Sequence, residues 1–63
     1  MVEFIDGSTK TPVYVNPRHV IKLTPYPNDP EKVTIVYTTD GKQFMVVGNH
    51  KDVAKKLTGA PGQ

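Results

Sequence analysis

The run Val33-Thr34-Ile35-Val36-Tyr37-Thr38-Thr39-Asp40-Gly41-Lys42-Gln43-Phe44-Met45-Val46-Val47 constrains what this chain can fold into more than any other. Two segments rich in β-branched and aromatic residues, which fit a pleated and half-buried surface, flank an Asp-Gly pair. Asp-Gly favours the left-handed backbone that a two-residue type I′ turn needs, so the run predicts a β-hairpin. A two-residue turn at Asp40-Gly41 sets Tyr37 opposite Phe44, Ile35 opposite Val46, Val36 opposite Met45 and Thr34 opposite Val47. Strand side chains alternate between faces, so Val33, Ile35, Tyr37, Phe44 and Val46 are expected to form the core face. Thr34, Val36, Thr38, Gln43, Met45 and Val47 take the other face, where Val36, Met45 and Val47 make a smaller apolar stripe.

The remaining segments supply partners for that hairpin. Met1 to Ile5 and Pro12 to Val15, separated by the polar, turn-rich Asp6-Gly7-Ser8-Thr9-Lys10, read as a first and shorter hairpin. Pro12 lacks a backbone donor and belongs at a strand start or on an unpaired edge. Asn16-Pro17-Arg18-His19 turns the chain, because proline presets the turn angle and asparagine supplies a local acceptor. Val20 to Thr24 is the next strand, ended by Pro25-Tyr26-Pro27-Asn28-Asp29-Pro30, since prolines this dense cannot sit within a ladder. Gly48 gives backbone freedom at a strand end, and Asn49 caps a short helix that buries Val53, Ala54 and Leu57 and turns Lys51, Lys55 and Lys56 to solvent. Lys55 and Lys56 suit the negative end of the helix dipole. The expected fold is α+β, a small antiparallel sheet of four to five strands, open or barrel-like, with one short C-terminal helix. Residues 1–58 form one domain and 59–63 a mobile tail.

A chain of 63 residues sits near the lower size at which a hydrophobic core sustains a fold unaided. It has no cysteine, which excludes disulfides and fits a reducing compartment, and it shows no structural zinc pattern. Self-association or a partner is the remaining source of extra stability. No signal-peptide arrangement opens the chain, and no apolar run approaches the roughly 20 residues that a membrane helix needs. The expectation is a cytoplasmic protein without membrane insertion. The formal charge of +2 is far from the dense basic surface that phosphate binding usually requires.

Chemistry-bearing residues are few. His19 and His50, with Asp52 near the latter, match no metal-ligand spacing. Ser8 lies in a turn without a base beside it, and Gly48 stands alone where a phosphate-binding loop needs several glycines. The chain is therefore expected to be non-enzymatic and to need no metal or cofactor. Two binding surfaces present themselves. One is the stripe Val36, Met45 and Val47, with Tyr26 held between two prolines, which would meet a second copy or a protein partner; an open sheet edge is a further route. The other is a basic set, Arg18, Lys22, Lys51, Lys55 and Lys56, which would serve a nucleic-acid-binding or transcription-modulating protein.

The run Tyr14-Val15-Asn16-Pro17-Arg18-His19-Val20-Ile21-Lys22-Leu23, the strand ending in Thr39-Asp40-Gly41-Lys42-Gln43-Phe44-Met45-Val46, and the closing Val53-Ala54-Lys55-Lys56-Leu57 resemble small bacterial proteins of the FlbD/SwrD type. Those proteins are short, β-rich and linked to flagellar motility. The resemblance spans roughly Val13 to Leu57. It implies a non-enzymatic cytoplasmic accessory protein, bacterial or phage-encoded, and brings no catalytic residues with it.

Overall fold

In the computed structural model of the protein, which describes residues 1–59, the chain runs β1 (Val2–Ile5), β2 (Pro12–Val15), a 3-10 turn (Pro17–His19), β3 (Val20–Pro25), β4 (Val33–Thr38), β5 (Gln43–Val47) and α1 (His50–Gly59). The central reversal takes three residues, Thr39-Asp40-Gly41, instead of two. Thr38 N–H donates to Lys42 O at 2.9 Å, and Gly41 N–H donates to Thr38 O at 3.0 Å. A type I′ turn needs positive φ at both central residues, but only Gly41, at φ 84°, is left-handed here. Asp40 keeps negative φ and instead ties the loop with its carboxylate, which accepts from Thr38 Oγ1 and from Lys42 N–H. The result is the three-residue hairpin in which a left-handed glycine closes a tight turn.

That one extra residue changes the pairing. β4 and β5 align Val33↔Val47, Thr34↔Val46, Ile35↔Met45, Val36↔Phe44 and Tyr37↔Gln43. The expected pairs Tyr37 with Phe44, Ile35 with Val46, Val36 with Met45 and Thr34 with Val47 are therefore corrected by one position. Because side chains alternate with a period of 2, the slip exchanges the faces of β4 relative to β5. Thr34 and Val36 join Phe44 and Val46 on the inner face, whereas Ile35 and Tyr37 join Met45 and Val47 outside.

The fold is α+β, but its strands are divided between two antiparallel sheets, β1-β2 and β3-β4-β5, where one sheet of four to five strands was expected. The backbone bonding of the first hairpin to the second sheet lies near its turn, in a bridge between Asp6 and Val46 and a bond from Gly7 N–H to Met45 O at 2.9 Å. Beyond that point β1 and β5 diverge. There Lys56 Nζ donates to Glu3 O at 2.7 Å, and its ammonium lies 5.0 Å from the centroid of the Phe4 ring.

The core lies between the two sheets and the helix. Val2, Phe4 and Val15 come from the first hairpin, Val36 and Val46 from the second sheet, and Val53 and Leu57 from α1; Val13, Val20, Leu23 and Phe44 pack around them. Asn49 caps the helix as its residue type implies, its Oδ1 accepting from Lys51 N–H at 2.8 Å. The helix docks on the inner face, so of the expected Ile35, Tyr37, Phe44 and Val46 surface, Phe44 and Val46 lie on its side of the sheet and Ile35 and Tyr37 on the other. Fully buried Thr34 donates its hydroxyl to Gly48 O at 2.9 Å, pinning the joint between β5 and α1 to the middle of the sheet. Gly59, expected in a mobile tail, closes the helix; the rest of that tail lies outside the described residues.

Val36→Ala is expected to cost about 2 kcal/mol, the loss of a buried branched side chain together with the small cavity left behind. Val47→Ala, on the opposite face and 40% exposed, is expected to cost under about 0.5 kcal/mol. Urea denaturation of the two variants checks the difference, which equal losses would contradict.

Candidate interaction surface

The outer face of β3-β4-β5 carries Val33, Ile35, Tyr37, Gln43, Met45 and Val47, with Lys22 and Thr24 on β3 in the same rows. An antiparallel sheet with one solvated face ordinarily shows polar side chains there. Here Ile35 and Met45 sit side by side, half-buried, although neither the helix nor the body of the first hairpin covers them. They floor a shallow groove lined by Asp6, Ser8 and Thr9 of the first turn and by Tyr26, with Gln43 and Phe44 completing it. Beside it, the Lys22 ammonium lies 4.6 Å from the centroid of the Tyr37 ring.

Both walls are held by local bonding. Tyr26 N–H donates to Val33 O at 3.0 Å, extending the β3-β4 ladder into the loop. Asp29 N–H donates to Tyr26 O at 3.1 Å, and Val33 N–H to Asp29 O at 3.0 Å. Asn28 Nδ2 reaches the Tyr26 hydroxyl at 3.3 Å. The prolines of this loop thus flank an aromatic ring whose backbone is fixed before any partner arrives, which lowers the ordering cost of binding. On the other side Asp6 Oδ1 accepts from Ser8 N–H at 2.7 Å and from Thr9 N–H at 3.0 Å. Gly7 lies against the sheet so closely that a Cβ there would stand 3.0 Å from that of Met45.

These bonds set the electrostatics of the turns. The backbone amides of Thr9 and Ser8 stabilise the ionised Asp6 carboxylate and lower its pKa below the ordinary value. The Thr38 hydroxyl, followed by the Lys42 amide, lowers that of Asp40. Each aspartate is thereby kept charged as an acceptor for its own turn.

The sequence-selected residues separate in space. Met45 and Tyr26 meet at the groove. Val36, expected beside Met45, is fully buried in the core and is not available to a partner. Val47 lies at the opposite end of the outer face, in a second shallow cleft with Glu3, Phe4, Ile5 and Lys56. Ile35, assigned to the core by the expected register, takes the place that Val36 was given. Its exposure was hidden by the turn length alone. The basic set is divided: Lys22 is on the outer face, Arg18 is in the 3-10 turn, and Lys51, Lys55 and Lys56 are on a helix packed against the inner face. Lys56 is already engaged by Glu3 and Phe4.

His19 Nδ1 is 3.3 Å from Thr39 Oγ1, and His50 Nδ1 is buried without a hydrogen-bond partner. Among the described residues no group of three or more His, Asp or Glu side chains is placed to hold a metal ion. No helix among them is long and apolar enough to cross a membrane.

Fold and groove together define a small α+β protein with two antiparallel sheets and one half-exposed apolar face. No known protein family, curated protein or solved structure matches the chain significantly.

Because folding lowers the pKa of Asp6 and Asp40, the stability they contribute is complete above the ordinary aspartate pKa. It is lost as pH falls from about 4 through the folded values. Thermal midpoints measured from about pH 5 to about pH 2 should fall more steeply for the wild type than for an Asp6→Asn/Asp40→Asn variant, which keeps the acceptors but not the titration. Parallel curves would contradict the assignment.

Proposed function

We propose that the protein is a non-enzymatic interaction module that binds a protein partner, either a second copy or another chain, through the outer-face groove floored by Ile35 and Met45. The observation that carries this reading is the pairing of those two apolar side chains on the face turned away from the helix, between a preset aromatic wall and a hydrogen-bonded turn. Burial of Ile35 and Met45 by a partner would release water from apolar surface, and the unbranched, polarizable Met side chain adapts to an uneven contact. Tyr26 supplies the large, stiff, amphipathic ring common in binding hot spots. A cytoplasmic accessory role in a bacterium or phage, as the FlbD/SwrD resemblance implies, suits a chain of this size acting by contact instead of catalysis. The nucleic-acid reading draws on Arg18, Lys22, Lys51, Lys55 and Lys56, whose separation across the core removes the continuous basic strip that such binding uses.

Three forms of the chain, wild type, Met45→Lys and Lys51→Glu/Lys55→Glu, test the reading by retention of bacterial lysate proteins and by mass in sedimentation equilibrium. Met45→Lys is expected to fold, because a half-exposed lysine can carry its ammonium to water. It should lose at least tenfold in whatever association the wild type shows, while the helix variant keeps it. Loss in the helix variant alone would favour nucleic acid, and equal behaviour of all three would overturn the groove.

A further inference from the structure

Among the described residues, the outer edges of β2 and β3 can be assigned from the backbone bonding. Asp6 N–H donates to Thr11 O at 2.8 Å, in line with the β1-β2 register Val2↔Val15, Glu3↔Tyr14, Phe4↔Val13 and Ile5↔Pro12. Bonded and non-bonded pairs alternate along an antiparallel ladder. Phe4 and Val13 therefore exchange bonds, as do Val2 and Val15, whereas Pro12 and Tyr14 turn their backbone groups away from β1. On the other sheet, Tyr26 N–H donates to Val33 O in continuation of Thr24↔Ile35, so Lys22 and Thr24 face β4. Leu23 and Pro25 turn their backbone groups away from it.

Of the four strands with a single ladder partner, β1 and β5 meet each other at the Asp6–Val46 bridge, and each of the other two, β2 and β3, places a proline at an outward-facing position. Among the described residues, Pro12 and Pro25 are the two prolines that lie within strands. Both are exposed. Neither can donate, so each edge keeps one regular outward N–H, that of Tyr14 on β2 and that of Leu23 on β3. The β3 edge is interrupted again by a bulge between Val20 and Lys22, where Ile21 is 65% exposed, and the Val20 N–H is turned back onto Pro17 O. The facing edges of β1 and β5 are engaged at one carbonyl each, Met45 O by Gly7 and Glu3 O by Lys56.

We infer that Pro12 and Pro25 are edge guards, which prevent further copies of this chain from adding to β2 and β3 as neighbouring strands and so confine contact to the outer face. Small sheets with open edges carry a standing tendency to pair edge to edge, and an outward proline removes the donor that the second strand would need. The guards act whether or not the groove binds a partner, and they disfavour the edge route that an open sheet otherwise offers.

The test restores the missing donors. Pro12→Thr/Pro25→Thr, with Pro27→Thr in the loop as a control, is compared with the wild type by circular dichroism and by sedimentation velocity over a range of concentrations. The double variant is expected to fold and to at least double its weight-average mass relative to the wild type as concentration rises, while the control does not. A synthetic double variant carrying N-methyl groups on Tyr14 and Leu23 should return to the wild-type mass. A folded double variant with wild-type mass would overturn the inference, as would association that survives N-methylation. If the double variant does not fold, the single variants decide at one edge each, and unfolding of both would assign the prolines to the fold and not to edge protection.

Discussion

A single left-handed residue governs the architecture. Gly41 is the one position in the Thr39-Asp40-Gly41 loop with positive φ, and a left-handed glycine at the last loop position alone closes a three-residue hairpin, where the two-residue type I′ turn needs two left-handed residues. The difference of one residue decides which side of β4 faces the core. With Thr34 and Val36 turned inward, the first hairpin and α1 find an apolar inner face to cover. The Thr34 hydroxyl, brought inside by the same choice, reaches Gly48 O and fixes where the helix begins.

The inner face is closed by few contacts, each with more than one role. Val53 and Leu57 give the helix its apolar stripe, and Lys56 on the same helix satisfies a carbonyl that β1 exposes where it leaves β5. With its ammonium also over the Phe4 ring, Lys56 ties the first hairpin to the helix across an exposed seam. The polar turns are built in a similar way, with Asp6 and Asp40 each accepting two bonds from their own loops. Side chains that make more than one contact suit a chain with too few residues for a large core.

Much of this was legible from residue types. The order of five strands and a helix, the Asn49 cap, the buried Val53 and Leu57, and the strand start at Pro12 follow from local rules that tertiary structure did not override. The faces of β5 follow from its own alternation, because Phe44 and Val46 are inside in either register. What failed was the relation between two correctly identified strands. Asp-Gly is compatible with a two-residue and a three-residue reversal, and Val36 and Ile35 are equally apolar, so composition does not choose between them. In the three-residue form Asp40 stays out of the left-handed region and its carboxylate accepts from the Thr38 hydroxyl. The same slip moved Ile35 into the candidate site and Val36 out of it, whereas Met45 and Tyr26 kept their places. The division of strands into two sheets was hidden for another reason: it depends on β1 diverging from β5 after Asp6, and the donor that fills the gap lies far along the sequence at Lys56.

The outer face inherits its character from the inner one. Once Val36 is buried, the remaining apolar residues of β4 must point outward, and the groove between Tyr26 and the first turn forms over them. Both the candidate site and the core thus rest on the register of β4 against β5, which nuclear Overhauser contacts between α-protons report directly, since non-bonded antiparallel pairs bring their Cα atoms to about 4.5 Å. The account predicts strong contacts for Ile35 with Met45 and for Tyr37 with Gln43. Contacts of Val36 with Met45 or of Thr38 with Gln43 in their place, the non-bonded pairs of a two-residue turn, would contradict it.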